Sequence, residues 1–159
     1  MRKETTTMSY ATNSIRNICL LGHAGSGKTA LTESLLYMTG AIDRIGRTAD
    51  GNTVWDYDPE EIRRQISISA SVAPLEYKGC KINVLDTPGS VDFSGAVMEA
   101  LRAADAAVIV CSAKDGITAG LERAWKYCEE RDMPRFLYIS KIDEDNSDYN
   151  ATFEALREK

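Results

Sequence analysis

The chain has 159 residues, enough for one domain at about 150 residues each and for a core that needs no staples. A hydrophobic share of 43% and a charged share of 27% exclude collagen-like, low-complexity and disordered classes. The net charge of −5 argues against a surface that binds nucleic-acid backbone as a whole, and no DNA partner is expected.

The four cysteines, Cys19, Cys80, Cys111 and Cys128, form no C-x-x-C pair, and His23 is the single histidine. A structural zinc site is therefore unsupported, and reduced, buried thiols in a cytoplasmic protein fit better. Arg2 and Lys3 are followed by Glu4 and threonines, not by the apolar run an export signal needs. The apolar stretch over residues 103–111, broken by Asp105, is too short to span a bilayer, so no membrane partner is expected. Residues 1–14 read as a disordered N-terminal tail, and residues 15–159 as the folded domain.

In chain order, residues 15–21 predict a buried strand. A helix follows from Lys28 to about Thr39, with Leu31, Leu35, Leu36 and Met38 at helical spacing and Gly40 suited to cap its end. Residues 41–65 are polar and charged, with few apolar anchors. A stretch of that length inside a compact domain is usually functional or mobile. Its Glu60-Glu61 and Arg63-Arg64 read as a solvated turn, while Trp55 and Tyr57 could either pack or meet a partner.

Residues 66–77 and 80–85 predict a hairpin turning at Lys78-Gly79, and Pro74 puts its first strand at the sheet edge. A helix is expected over 93–104, and a buried strand over 106–111. An amphipathic helix over 118–131 should bury Leu121, Trp125 and Cys128. A further strand is expected over 135–139, with a last helix from about Tyr149. Strands alternating with helices after the hairpin predict an α/β fold: a mainly parallel sheet with one antiparallel edge strand and helices on both faces. Ligands of such sheets sit beyond the C-terminal ends of the strands.

Three motifs lie at that end. Gly22-His-Ala-Gly-Ser-Gly-Lys-Thr29 matches G-x-x-x-x-G-K-[ST] between a predicted strand and a predicted helix. The backbone of His23, Ala24, Gly25, Ser26 and Gly27, with Ala30 in the first helical turn, would cradle phosphates at a helix N-terminus. Lys28 would reach the terminal phosphates and Thr29 would ligate Mg²⁺. Asp86-Thr-Pro-Gly89 ends the next parallel strand: Asp86 can hold Mg²⁺ through water, and Gly89 can offer its N–H to a γ-phosphate. Ser140-Lys-Ile-Asp143 follows the last strand. The Asp143 carboxylate can accept guanine's N1–H and exocyclic amine, and the Lys141 stem can lie over the base.

The three motifs in this order resemble those of the translational GTPases, and the text between them resembles elongation factor G. Arg64-Gln-Ile-Ser-Ile68 is similar to that family's R-G-I-T-I segment. Residues 86–93 are similar to its D-T-P-G-H-V-D-F, and Lys141-Ile-Asp143 to its N-K-x-D. Residues 50–60 look more like divergent paralogues than like the housekeeping factor. The resemblance implies a P-loop NTPase G domain that binds GTP or GDP with Mg²⁺. Residues 41–65 would be switch I and Gly89 onward switch II. It further implies that Lys28, Gly89 and Ser90 serve catalysis, and that Ser67 joins Thr29 and Asp86 at the metal. Switch I would draw its order from Ser67, Mg²⁺ and the γ-phosphate.

Four departures stand out. Ser90 replaces the histidine that positions the attacking water. Ser67 replaces the Mg²⁺-binding threonine and keeps its hydroxyl. Gly25 replaces the phosphate-loop aspartate, and Ser140 replaces the asparagine of N-K-x-D, which steadies neighbouring loops. The family's G domain has one more strand and a closing helix, so the domain reads as C-terminally incomplete. Ribosome contacts are expected through the full-length protein. The resulting expectation is a G domain that couples GTP hydrolysis to action on the ribosome. Its rivals are a nucleotide-gated ribosome-binding module with little hydrolysis, a tetracycline-resistance-type ribosomal protection factor, and an unrelated P-loop ATPase or kinase.

Overall fold

A computed structural model describes residues 10–159. Five strands form one sheet: β1 (Ile15–Leu21), β2 (Ser71–Tyr77), β3 (Cys80–Asp86), β4 (Ala106–Ser112) and β5 (Arg135–Ser140). Their order is β2-β3-β1-β4-β5. All neighbours are parallel except β2 and β3, which form the expected hairpin. Pro74 lies on β2, whose outer edge is unpaired, so its missing N–H removes no ladder bond from the sheet interior. The helices are α1 (Lys28–Met38), α2 (Pro59–Arg64), α3 (Ser94–Ala103), α4 (Ala119–Glu129) and α5 (Tyr149–Glu158). None is long and apolar enough to cross a membrane.

Alternation along the central strands supplies both faces of the core. Cys19 and Leu21 of β1, Leu85 of β3 and Ile109 and Cys111 of β4 pack against Val97, Leu101, Leu121 and Cys128 from α3 and α4. Leu20, Val84 and Val110 point the other way and meet Leu36 of α1, Ala73 and Leu75 of β2, and Trp55. The expected α/β architecture with helices on both faces is present.

Several local expectations are corrected. The expected tail over 1–14 is structured at its end, where Thr12–Ser14 make a 3-10 turn leading into β1; residues 1–9 lie outside the described residues. Helix α1 does not bury the leucine stripe that its spacing suggested. Met38 is 81% exposed and Leu35 is also exposed, whereas Lys28, Thr32, Glu33 and Leu36 are buried. Its inner face meets backbone groups of two loops, and polar side chains satisfy them. Trp125 of α4 is exposed, with the Arg135 guanidinium stacked 4.1 Å over its ring. Strand β2 starts at Ser71 and not at Ile66.

Residues 41–65 depart furthest from expectation. They contain a 3-10 turn at Thr48–Asp50 and the helix α2, capped by the Asp58 carboxylate accepting from Glu60 N. Trp55 is only 5% exposed and plugs the second core face. Glu33, 2% exposed on α1, accepts from Gly46 N at 2.8 Å and Val54 N at 3.1 Å. Glu61 is not solvated: it is buried and accepts from Ile68 N and Ser69 N, at 2.8 and 3.0 Å. Those two amides are thereby lost to any sheet, which is why β2 begins late. Glu60, Arg63 and Arg64 lie at the surface as expected, but on helix α2 rather than in a turn, where they form ion pairs. The segment therefore owes order to protein groups, beyond the nucleotide-dependent contacts the sequence suggested.

Trp55→Ala should lower the unfolding free energy by about 3–5 kcal/mol, as for a large aromatic removed from a core. Tyr57→Ala, at a side chain 65% exposed, should lower it far less. Urea melts of the two variants decide this, and equal midpoints would contradict the anchoring role of Trp55.

Candidate functional site

Strands β1, β3, β4 and β5 all end at one edge of the sheet, with Leu20 level with Asp86 and Ser112 level with Ser140. The phosphate-loop motif leaves β1 there. Gly22 has φ 138°, and a Cβ on it would stand 2.4 Å from the Val110 carbonyl oxygen, so no other residue fits that turn. The loop then feeds directly into α1, whose first residue is Lys28. Lys28 Nζ donates to the carbonyls of Gly22 and His23 at 3.1 and 2.9 Å. Burial pushes its pKa down, while the charge of Asp86 opposes that shift.

Asp86, at the end of β3, is 2% exposed. Its Oδ2 accepts from Thr29 Oγ1 at 2.6 Å. Its Oδ1 is buried with no hydrogen-bond partner among the described residues. Burial raises the carboxyl pKa to about 6, against the Thr29 hydrogen bond and the Lys28 charge. A buried carboxylate oxygen with a spare lone pair, beside a hydroxyl, is a donor set that suits a hard divalent cation. Ser67 adds a second hydroxyl on the wall of the same cavity.

Residues 89 and 90 border the site on the side of α3 and the Val91–Phe93 turn. Gly89 is pressed against the phosphate loop: a Cβ there would lie 2.4 Å from Ala24 N and 2.7 Å from the His23 carbonyl carbon. Ser90 Oγ donates to Asp92 Oδ2 at 3.2 Å and accepts from Asp92 N at 3.4 Å, capping the turn Val91–Phe93. The His23 side chain packs on Gly120 of α4, where an added Cβ would meet Nδ1 at 2.8 Å. Its ring thus faces α4, and only its backbone belongs to the loop.

A cavity of about 380 Å³ lies over the loop, a volume typical of small-molecule sites. Ala24, Gly25, Gly27, Lys28, Thr29, Ala30, Ser67, Gly89, Ser90 and Lys141 line it. His23, Ser26, Asp86, Ser140 and Asp143 do not. Ser26 and Asp86 are buried beneath the loop, and Asp143 is exposed on the segment that carries Lys141. Ser140 stands behind, donating to the Ser26 carbonyl at 2.6 Å and the Cys111 carbonyl at 3.2 Å. It thereby ties the segment carrying Lys141 and Asp143 to the phosphate loop.

Lys141 sits at φ 56°, with Nζ 3.4 Å from Glu144. Glu144 also pairs with Lys114, whose hydrogen bond holds its carboxyl below the usual range. Sequence reasoning did not assign Thr48, Asp56, Glu61, Gln65 or Ile66 to this cavity. Nearness in sequence to Ser67 could have placed Gln65 and Ile66, whereas nothing local in the sequence marks Thr48 or Asp56.

Ser140→Ala should free two carbonyls that share one donor, and cost about 1–3 kcal/mol of stability. Amide exchange should rise in the phosphate loop more than in β2. Unchanged exchange at residues 23–29 would contradict the tie.

Residues 13–159 match the family described as Elongation factor Tu GTP binding domain. Elongation factor G 2 of Borreliella burgdorferi is 41% identical over 136 residues, or 86% of this chain and 20% of its own length. The Elongation factor G-like protein of Mycobacterium tuberculosis is 40% identical over 144 residues, 91% of this chain and 20% of its own. The mitochondrial Ribosome-releasing factor 2 of Rattus norvegicus is 37% identical over 145 residues, 91% of this chain and 19% of its own. A crystal structure of a Thermus thermophilus protein superposes with a TM-score of 0.87 at 46% identity, over 91% of this chain and 22% of that one. The chain thus spans about a fifth of the length of the curated relatives it matches. Because the family match runs through nearly all of the sequence, the protein belongs to the elongation factor Tu GTP-binding-domain family, as a guanine-nucleotide-binding P-loop domain of the elongation-factor-G-like kind.

Proposed function

We propose that this domain binds GTP with Mg²⁺, hydrolyses it, and serves a factor that acts on the ribosome in the cytoplasm, in the manner of a translocation factor. The observation that carries the reading is the Lys28–Thr29–Asp86 cluster under the glycine loop: a buried cation, a hydroxyl and a carboxylate with one unpartnered oxygen. Ribosome action is supported by the names of two similar proteins, Elongation factor G 2 and Ribosome-releasing factor 2.

In this reading Lys28 exchanges the Gly22 and His23 carbonyls for phosphate oxygens. The amides of residues 23–30 hold the diphosphate at the start of α1. Thr29, Ser67 and Asp86 hold the cation, directly or through water, and the cation when bound offsets charge on the phosphate oxygens. The Gly89 N–H faces the γ-phosphate, Asp143 reads guanine, and the Lys141 stem covers the base. A water molecule attacks the γ-phosphorus while the bond to the β-phosphate oxygen breaks. A second reading, a nucleotide-gated module with slow hydrolysis, is favoured by Ser90: its hydroxyl is short and already engaged by Asp92.

Lys28→Ala should abolish tight GTP binding, and Thr29→Ala should raise the Mg²⁺ requirement; fluorescent-nucleotide titrations measure both. A Lys28→Ala protein with parental affinity would refute the assignment of the loop. Asp143→Asn should weaken GDP by about 1.5–3 kcal/mol and favour XDP, as one charge-assisted acceptor is lost. Competition of GDP, XDP and ADP checks this, and unaltered GDP affinity would remove Asp143 from base recognition. Single-turnover assays with and without ribosomes separate the two readings: stimulated turnover supports hydrolytic coupling, and nucleotide-dependent docking without turnover supports the gated module.

A further inference from the structure

The cavity wall holds a side chain that the chemistry above does not use. Gln65 occupies the position where the R-G-I-T-I pattern has glycine, in Arg64-Gln-Ile-Ser-Ile68. It closes α2 in the left-handed conformation, φ 54° and ψ 36°. Glycine takes that conformation without strain and an L side chain does not. A residue that breaks a local rule at the rim of a site invites a functional reason.

Gln65 is exposed, and its place in the cavity wall suggests one. Gln65 lines the cavity together with Lys28, Ser67, Gly89 and Ser90, the groups proposed around the γ-phosphate. Its Nε2 donates to the Ala49 carbonyl at 3.0 Å. A carbonyl can only accept, so this bond fixes which end of the amide is nitrogen and leaves Oε1 as the end able to accept from a water. Ser90, at the position of the family's water-positioning histidine, is shorter and is engaged by Asp92. A carboxamide has no useful titration, yet it can orient a nucleophilic water, as glutamines do in other GTP hydrolases.

We propose that Gln65 orients the attacking water in place of the missing histidine, an inference that rests on the GTP hydrolysis proposed above. Oε1 accepts one water proton in a hydrogen bond and aims the oxygen at the γ-phosphorus. The P–O bond to the β-phosphate oxygen breaks with its electron pair going to GDP. The water's protons leave with inorganic phosphate and solvent, and Gln65 neither gains nor loses one.

The test compares the parent chain with Gln65→Gly, Gln65→Ala and Gln65→Glu. Single-turnover hydrolysis of bound GTP, GDP affinity, capture of GDP with aluminium fluoride, and Tm are measured for each. The expected result for Gln65→Gly is hydrolysis slowed about 10²-fold, the loss typical of one transition-state contact, with fluoride-dependent capture lost. GDP affinity should hold, and Tm should hold or rise because glycine suits the left-handed cap. If Gln65 only caps α2, Gln65→Gly hydrolyses GTP as fast as the parent, and the inference falls. A parent that binds GTP but neither hydrolyses it nor captures GDP with aluminium fluoride also overturns it. A parent that binds no GTP at all overturns the proposed function itself.

Discussion

Much of this site hangs on one buried hydrogen bond, from Thr29 to Asp86. It joins the first turn of α1 to the end of β3, residues 57 positions apart in sequence. Register makes the bond possible, because Asp86 lies level with Leu20 and so just below the phosphate loop. The carboxylate is costly to bury, as its raised pKa shows, and a purely structural link could have used a neutral pair. Retaining a half-satisfied carboxylate beneath a glycine loop makes physical sense where a cation completes its shell. The same strand end starts the turn that presses Gly89 onto Ala24, so the phosphate loop and switch II are held against one another.

The second organising feature is the polar inner face of α1. Lys28 points back to carbonyls of the phosphate loop, Thr32 donates to the Thr29 carbonyl, and Glu33 accepts from two amides of the 41–65 segment. A helix that carries buried polar groups offsets their desolvation only if every group finds partners. For Lys28 and Glu33 the partners are loop backbones, which lack a ladder of their own. Helix α1 thus performs for the switch segment the work that a neighbouring strand performs for a strand, and Trp55 adds the apolar anchor that fixes the segment's depth.

These two features explain what the sequence disclosed and what it hid. Strand and helix alternation, the edge position of β2 and the motifs at strand ends follow from periodicity, proline chemistry and glycine spacing, which are local. Glu33 and Glu61 were hidden because a glutamate in a helix or in a charged run carries no mark of burial. Their roles depend on amides 7 to 21 residues away. The leucine stripe of α1 misled only in part: Leu31 and Leu36 pack on the core, while Leu35 and Met38 face solvent and buried polar side chains share the inner face. Ser140 was legible only as a departure, yet its hydroxyl bridges two loops from a shorter reach than an asparagine would need. Lys28, Thr29, Gly89 and Lys141 of the three motifs line one cavity, whereas Asp86 is buried beneath it and Asp143, proposed to read the base, stays outside its wall.

The anchoring of the switch segment also bounds how that segment could respond to nucleotide. Ser67 lies between the left-handed Gln65 and the amides of Ile68 and Ser69 that Glu61 holds. Moving Ser67 out of place relative to α2 must therefore break two charge-assisted hydrogen bonds to Glu61, each contributing about 1.5–3 kcal/mol. A ligand shifts such an equilibrium only by its differential affinity for the two arrangements, and a switch from 1:99 to 99:1 needs about 5.5 kcal/mol. The two quantities are of the same size. In the proposed GTP-bound form, the γ-phosphate and its cation would act on a segment already biased toward order, and a modest set of contacts at Ser67 and Gly89 would be sufficient to decide its state. Trp55 and Glu33 hold residues 46–55 to the core and to α1 by contacts separate from those bonds, so they can persist through the change and confine it to residues near Gln65 and Ser67.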